Sequence, residues 1–424
     1  MTAPRLTPAD AQTFWTAAKI PNDTILLFAF AGVPADVDEA VAEAKARAAR
    51  CAELTVRVDD SAALRYPVWA PCAVDDGQFA VHELDEPAWD GCLSAVSALS
   101  ADQLDARRVS WRLHVFPAVD GVPGLSGPGT VAVLQISHAL GGGGRTSLLA
   151  AVMFGRDSTL PEVTPWRIGP AQLPVLGFHA ARAHRRLIAD TDAGLIPPAA
   201  PLRPVLMTNA RPAGMASLRT IVLSRAEMSG PTVTVATLAA ISEALAGQLR
   251  QHDQDTSTLG AELMMAKPPP RRSYNHFGTA GIGLYPELDR AARAERIASD
   301  VDARRRRAAH PAMRAAELAF TATPAPLLRW GIGQFDPDVR VAEVTGNTVV
   351  SSVNGGAADF AFGGVPVAML AAFPGLSPMM GLTHCVCGVG DTISIGVHAA
   401  ESAVGGSGGL DSYVDRLETA LGRG

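Results

Sequence analysis

The residues best placed to do chemistry lie in one stretch, Val131-Ala-Val-Leu-Gln-Ile-Ser137-His138-Ala-Leu-Gly141-Gly142-Gly143-Gly144-Arg145. An apolar run ends in a single histidine, four glycines turn the chain, and a helix is expected to start near Thr146 or Ser147. This puts an imidazole at the mouth of a strand-to-helix turn, where it can face a ligand instead of packing in a core. With an ordinary pKa of ~6.5, histidine takes a proton from a poor nucleophile near neutral pH if it lies within hydrogen-bond reach. An acyl group that arrives as a thioester is already activated, so acyl transfer would need no covalent Ser or Cys intermediate. The plainer reading of His138 is a histidine that ends a strand and caps the turn.

A second polar group lies far away in sequence, Ser351-Ser352-Val-Asn354-Gly355-Gly. A tetrahedral intermediate needs donors aimed at its oxyanion, and hydroxyl, amide and glycine backbone can all supply them. The same residues also make an ordinary tight turn at a strand end. Asn275 is a weaker polar candidate and fits a turn. Gly405-Gly-Ser407-Gly-Gly409 matches the Gly-x-Ser-x-Gly nucleophile pattern by letter, but no strand runs into it, so it reads as a linker. His114, His276, His384 and His398 show no metal-ligand spacing; they are expected to serve structure, and no metal is implied. Arg304-Arg-Arg-Arg307 reads as the solvated face of a helix, with contact to anionic lipid as the sharper option.

The elements that would position these residues alternate between strand and helix. Asp10 to Ala18 reads as a short helix, Thr24 to Phe30 as a strand, and Asp36 to Leu54 as an alanine-rich surface helix. Strands are expected at Thr55 to Val58, Phe79 to Leu84, Ser110 to Val119 and Thr130 to Ser137, with a helix at Gly91 to Leu99. From Thr159 to Pro204 prolines crowd around a basic helical patch at Ala180 to Ile188, as in a crossover between domains. Beyond it come strands at Ser217 to Ser224, Thr279 to Tyr285, Val349 to Val353 and Thr392 to His398. Helices are expected at Val233 to His252, Leu288 to Ala308 and Leu410 to Leu421. The fold class is α/β, divided into residues 1–190 and 191–424, with a ligand cleft between the halves.

Composition narrows the function classes. The 424 residues are 48% hydrophobic and 18% charged, a globular profile, and their length favours two domains. Formal net charge is -6 and no aromatic-interleaved basic stripe occurs, which argues against nucleic-acid binding. The five cysteines are scattered, and Cys385-x-Cys387 alone makes neither a zinc site nor a redox motif, so reduced thiols are expected. The start lacks the layout of a signal peptide, and no apolar run approaches the ~18 residues of a spanning helix. A cytoplasmic protein is expected, possible contact with a membrane or lipid-droplet surface included.

Ile136-Ser-His138-Ala-Leu-Gly-Gly142-Gly resembles the His-His-x-x-x-Asp-Gly motif of the CoA-dependent acyltransferase superfamily, which includes chloramphenicol acetyltransferase and peptide-synthetase condensation domains. The rest of the chain resembles its bacterial wax ester synthase/diacylglycerol acyltransferase branch. Leu6-Thr-Pro-Ala-Asp10 is similar to that family's Leu-Ser-Pro-x-Asp opening, and Phe79 to His82 to a shortened Phe-Asp-x-x-x-His. Trp111-Arg-Leu-His-Val-Phe resembles its Pro-Leu-Trp strand, and Asn275-His-Phe-Gly278 its Gly-Asn turn. Val349 to Gly355 is similar to the Ser-Asn-Val-Pro-Gly-Pro segment, and Cys387 to Val397 to the Ser-Tyr-x-Gly-x-x-x-x-Gly pattern. Two positions depart from the motif: Ser137 replaces the first histidine and Gly142 the aspartate. In the superfamily that aspartate holds the loop through an arginine, so its loss would loosen the site without deleting the base, unless Arg145 braces it.

The resemblance implies two chloramphenicol-acetyltransferase-like domains with a tunnel between them. It further implies transfer of an acyl chain from acyl-CoA to an alcohol or diacylglycerol-like acceptor. His138 would be the base, Ser351, Ser352 or Asn354 would support the oxyanion, and Ser137, Gly142, Gly143 and Arg145 would form the motif loop. Acyl-CoA is a co-substrate and no further cofactor is implied. Two alternatives stay open: an impaired paralogue that binds lipid or acyl-CoA or acts as a scaffold, and an acyltransferase acting on a secondary metabolite.

Overall fold

The computed structural model describes residues 4–423; Met1, Thr2 and Ala3 of the start read above, and Gly424, lie outside them. Two six-stranded mixed sheets form the frame. The first runs Ala361–Phe362, Val365–Ala372, Thr24–Phe30, Gly129–Ile136, Trp111–Val119, Phe79–Val81. The second runs Phe277–Gly283, Gly260–Ala266, Thr348–Asn354, Leu382–Val389, Thr392–Ala400, Ala216–Ser224. Helices pack on both, so the α/β class expected from the alternation is the one observed.

Residues 361–372 cross the division drawn at 190/191. Their strand pairs antiparallel with Thr24–Phe30, in register Leu26↔Ala372 and Phe28↔Leu370, and so completes the N-terminal sheet. A single apolar cluster consequently mixes Phe28, Leu134 and Phe154 with Phe360, Phe362, Leu370, Cys385 and Cys387. Chain from the second half is thus built into the core of the first. A second cluster, around Ile241, Leu245, Val350, Ile395 and Tyr413, belongs to the C-terminal part alone.

Strands at Gly260–Ala266, Val365–Ala372 and Leu382–Val389, and helices at Pro311–Thr321 and Ala325–Gln334, go beyond the sequence reading. The first two strands carry Met and Ala in place of a β-branched run, and Leu382–Val389 is buried on both faces, which removes the alternation that marks a half-exposed strand. The linker helix is longer than its basic patch suggested, Leu173–Asp192, and buries Leu187 alone. No helix among the described residues is long and apolar enough to cross a membrane. All five cysteines are free, four of them buried.

Candidate active site

The histidine strand, Gly129–Ile136, is buried along its whole length because Thr24–Phe30 and Trp111–Val119 flank it on both edges. Past its end Ser137 caps a single tight turn, His138–Leu140, its Oγ accepting from the Ala139 N–H at 3.4 Å. Gly141 follows at φ 128°, a conformation that L side chains rarely adopt. The helix then begins at Gly143, not at Thr146 or Ser147, and runs to Met153. A methyl group on Gly143 would come within 2.5 Å of Val353 Cγ2, so this glycine lets the helix abut a strand of the other sheet.

His138 is held from behind by a carboxamide. The Asn275 Nδ2 group donates to the His138 carbonyl at 2.8 Å and to Asp10 Oδ1 at 3.1 Å. Asp10 sits in the first turn of the Pro8–Thr16 helix, placed there by the Thr7 cap and by proline at the helix start. Its buried carboxylate also accepts from Thr7 Oγ1 at 2.7 Å and from the N–H groups of Asn275 at 2.8 Å and Tyr274 at 3.1 Å. Burial raises the Asp10 pKa, and these donors oppose the rise.

The imidazole is half-buried, and its Nδ1 is sealed from solvent with no partner in another residue. Nε2, the other ring nitrogen, is not among the sealed, unpartnered polar atoms. Desolvation lowers the His138 pKa, against its own backbone carbonyl, the Asn275 side chain and the Asp10 charge. A ring with a lowered pKa is neutral at physiological pH, the form a general base requires.

The turn is not loose, despite the missing aspartate. Arg145, 3% exposed, donates from Nε to the Leu140 carbonyl at 3.1 Å. Its guanidinium lies 4.0 Å over the Tyr274 ring, and Glu53 stands 3.9 Å from its Nη2. Arg145 thus braces the loop through a carbonyl and an aromatic face, and Gly142 contributes the extended residue before the helix.

A cavity of about 1510 Å³ is lined from both parts of the chain, by Leu6, Pro8 and Tyr66 on one side and Met265, Phe277 and Phe320 on the other. Its lining includes Phe277 and Asn275, which donates to the His138 carbonyl, but not His138 itself. The Phe277 ring lies 5.8 Å from the imidazole, centroid to centroid. A second cavity of about 420 Å³, bounded by Phe14, Leu104 and Ile332, reaches the preceding residue, Ser137.

Strand parity separates the oxyanion candidates. Val353 points at Gly143 of the loop helix, so Ser351, two residues away, shares the face toward the N-terminal lobe. Its Oγ lies 3.4 Å from the His384 carbonyl. Ser352 and Asn354 project from the opposite face and are exposed, and the Asn354 carboxamide oxygen accepts from the Gly356 N–H at 3.0 Å. Neither side chain hydrogen-bonds to His138 among the described residues.

The four other histidines singled out in the sequence are tied into the framework. His384 bonds Thr348 and the Tyr413 hydroxyl, His114 bonds His82, and His276 and His398 bond proline carbonyls. Ser407 lies in the turn between two helices. No cluster of metal-ligand type occurs among the described residues. Sequence reasoning missed Asn275 as a support for His138, along with Asp10 and Phe277. The cap pattern Thr7-Pro8-Ala9-Asp10 marks a helix start, but nothing local in sequence says that its carboxylate meets residue 275.

Residues 275–421 match the model of the WS/DGAT C-terminal domain. No curated protein matches the chain. Among solved structures, the wax ester synthase/diacylglycerol acyltransferase from Marinobacter aquaeolei VT8 is similar over 99% of this chain and 98% of its own, with TM-score 0.64 and 19% identity. A mutant starter condensation domain of rhizomide synthetase RzmA, in complex with C8-CoA, is similar over 99% and 95%, with TM-score 0.58 and 12% identity. The first condensation domain of the CDA synthetase is similar over 99% and 96%, with TM-score 0.57 and 14% identity. The two-lobed fold expected from the motifs is thus the fold observed, and the resemblance to the wax ester synthase/diacylglycerol acyltransferase family is borne out.

Proposed function

We propose that this chain, with its WS/DGAT C-terminal match and the fold of that family, is a CoA-dependent O-acyltransferase in which His138 is the general base. The observation that carries the reading is the bonding of His138: Asn275 fixes its carbonyl, Nδ1 is sealed, and Nε2 is the nitrogen left for a ligand. Nε2 would take the hydroxyl proton of an alcohol or diacylglycerol-like acceptor as its oxygen attacks the thioester carbonyl. Collapse of the tetrahedral intermediate breaks the C–S bond, and the departing thiolate recovers the proton from the imidazolium. Ser351 is the side chain best oriented to support the oxyanion. Acyl-CoA and acceptor would approach the turn from the cavities lined by Phe277 and by Ser137.

Release of free CoA from a panel of acyl-CoAs and alcohols tests this. His138→Ala should lower turnover by about 10²–10⁴-fold, the usual worth of a positioned base. Equal turnover by both proteins would overturn the assignment. One observation favours the alternative of a lipid- or acyl-CoA-binding protein: Phe277 lines the large cavity with its ring centre 5.8 Å from that of the imidazole. Acyl-CoA binding without turnover across the panel would support that reading. The exposed Val175 and Phe178 beside Arg182 on the linker helix also suit contact with a lipid surface. Co-sedimentation with anionic vesicles, lost on Phe178→Ser, is the expected result.

A further inference from the structure

The helix that follows the histidine turn, Gly143–Met153, ends on a glycine and an arginine. Gly155 has φ 102°, its N–H donates to the Val152 carbonyl at 3.1 Å, and the Arg156 N–H donates to the Ala151 carbonyl at 2.8 Å. Two such bonds around a glycine of positive φ stop a helix and send the chain off at an angle. They also fix the backbone from which the Arg156 side chain leaves.

The Arg156 guanidinium collects its acceptors from one short segment, the residues just past the strand Thr348–Asn354. Nη1 donates to the Gly355 carbonyl at 2.9 Å, Nη2 to the Ala357 carbonyl, and Nε to Asp359 Oδ1 at 2.7 Å. Nη2 pairs with the same carboxylate oxygen at 2.7 Å, and the guanidinium carbon lies 4.9 Å from the Phe360 ring centre. The side chain is only 11% exposed, so these bonds are shielded from water. A planar fork of donors can serve several acceptors at once, which an ammonium group does less well. Gly356 makes room for it: the residue holds φ 77°, and a methyl group there would lie 3.3 Å from Nη1.

This segment is where the chain leaves the C-terminal sheet to join the N-terminal one, and it runs along the helix from end to end. Val353 abuts Gly143 at the helix start, and a methyl group on Gly355 would come 3.6 Å from Ser147 Oγ. Past the helix end the Ala361 N–H donates to the Phe154 carbonyl at 3.2 Å. The lobes are thus registered along one helix, with the His138 turn before its start and Arg156 beyond its end.

We propose that Arg156 is a positioning residue, whose hold on residues 355–359 keeps the strand of Ser351 seated against the helix of His138. The inference rests on the acyltransferase reading and adds to it what sets the placement of the two lobes during the reaction. Arg156 lines neither of the two cavities described above, so its loss should act on the chemical step and not on substrate capture.

Arg156→Gln tests this, with Arg156→Lys as the conservative partner. Hydrogen exchange read by mass spectrometry should be at least about tenfold faster at residues 355–361 and 138–147 in Arg156→Gln, and unchanged at residues 238–249 of the C-terminal cluster. kcat should fall about 10–10²-fold, the scale of a misplacement of up to about 1 Å, while KM for acyl-CoA stays within about threefold. Arg156→Lys should recover part of both losses. Should Arg156→Gln fail to fold, Arg156→Lys carries the comparison, with the same pattern at smaller size. A wild type without turnover would sink the acyltransferase reading and leave the exchange test standing. Faster exchange confined to 355–361 or spread evenly over the chain, an unchanged kcat beside a loosened 138–147, or a rise in KM that accounts for the whole loss would overturn the positioning role.

Discussion

Asn275→Ala removes the one side chain that joins the buried Asp10 carboxylate to the backbone of His138. Two hydrogen bonds go with it, one of 3.1 Å to a carboxylate and one of 2.8 Å to a carbonyl. A bond to a charged group contributes about 1.5–3 kcal/mol and a neutral one about 1 kcal/mol. Three donors still serve Asp10, which limits the cost, so a stability loss of about 2–3 kcal/mol is expected. The catalytic effect is separate. With its carbonyl unheld, the His138 turn can shift, and misplacement of a reacting group by about 1 Å costs roughly 10²-fold in rate. That is about 2.7 kcal/mol of barrier. Stopped-flow detection of released thiol would give kcat, and chemical denaturation the stability. A variant that loses the expected stability yet keeps kcat within about threefold of the wild type would refute Asn275 as the positioning residue.

Asp10→Asn should move the acid limb of the kcat/KM profile to lower pH, because the Asp10 charge favours the imidazolium and its removal makes His138 easier to deprotonate; a limb that stays or moves upward contradicts the assignment. Asp23, whose carboxyl burial pushes up to about 6, should respond to Asp23→Asn in the opposite sense to a salt-bridged acid. A raised folded pKa contributes stability below about 3.8 that is lost as pH rises through about 6, so the variant should gain up to about 3 kcal/mol at pH 7.5 and nothing near pH 3.5; urea melts with equal differences at both pH values would exclude this. Gly143→Ala places a methyl group within 2.5 Å of Val353 Cγ2 and should destabilise by about 1–3 kcal/mol, read as a lower midpoint of thermal unfolding; an unchanged midpoint would show that the contact between lobes gives way freely. Arg145→Lys keeps the charge but loses the Nε donor to Leu140 and the flat face over Tyr274, and turnover should fall while the far-ultraviolet spectrum stays the same; full activity would mean the loop needs no brace.

The local patterns of the chain determined a good deal. The apolar run Val131–Ile136, the helix start at Asp10 with its Thr7 cap and the strand pattern at Ser217–Ser224 each fix an element through the preferences of neighbouring residues, and all three elements form. The family resemblance supplied the layout of the lobes and pointed at His138. Only the tertiary structure decided which groups meet that histidine. Asp10 and Asn275 are separated by more than half the chain, and their contact depends on how one helix start packs against one turn, which no local periodicity encodes. Strand parity puts Ser351 on the face of Val353, and Ser352 and Asn354 on the other, a division visible only once the partner of Val353 is known. The strand Val365–Ala372 entered the N-terminal sheet because an open edge at Thr24–Phe30 needed pairing, and that edge exists only after the sheet has formed. Sequence sets what each segment can become. Packing sets which polar groups share a buried site, because burial costs them dearly unless each finds a partner.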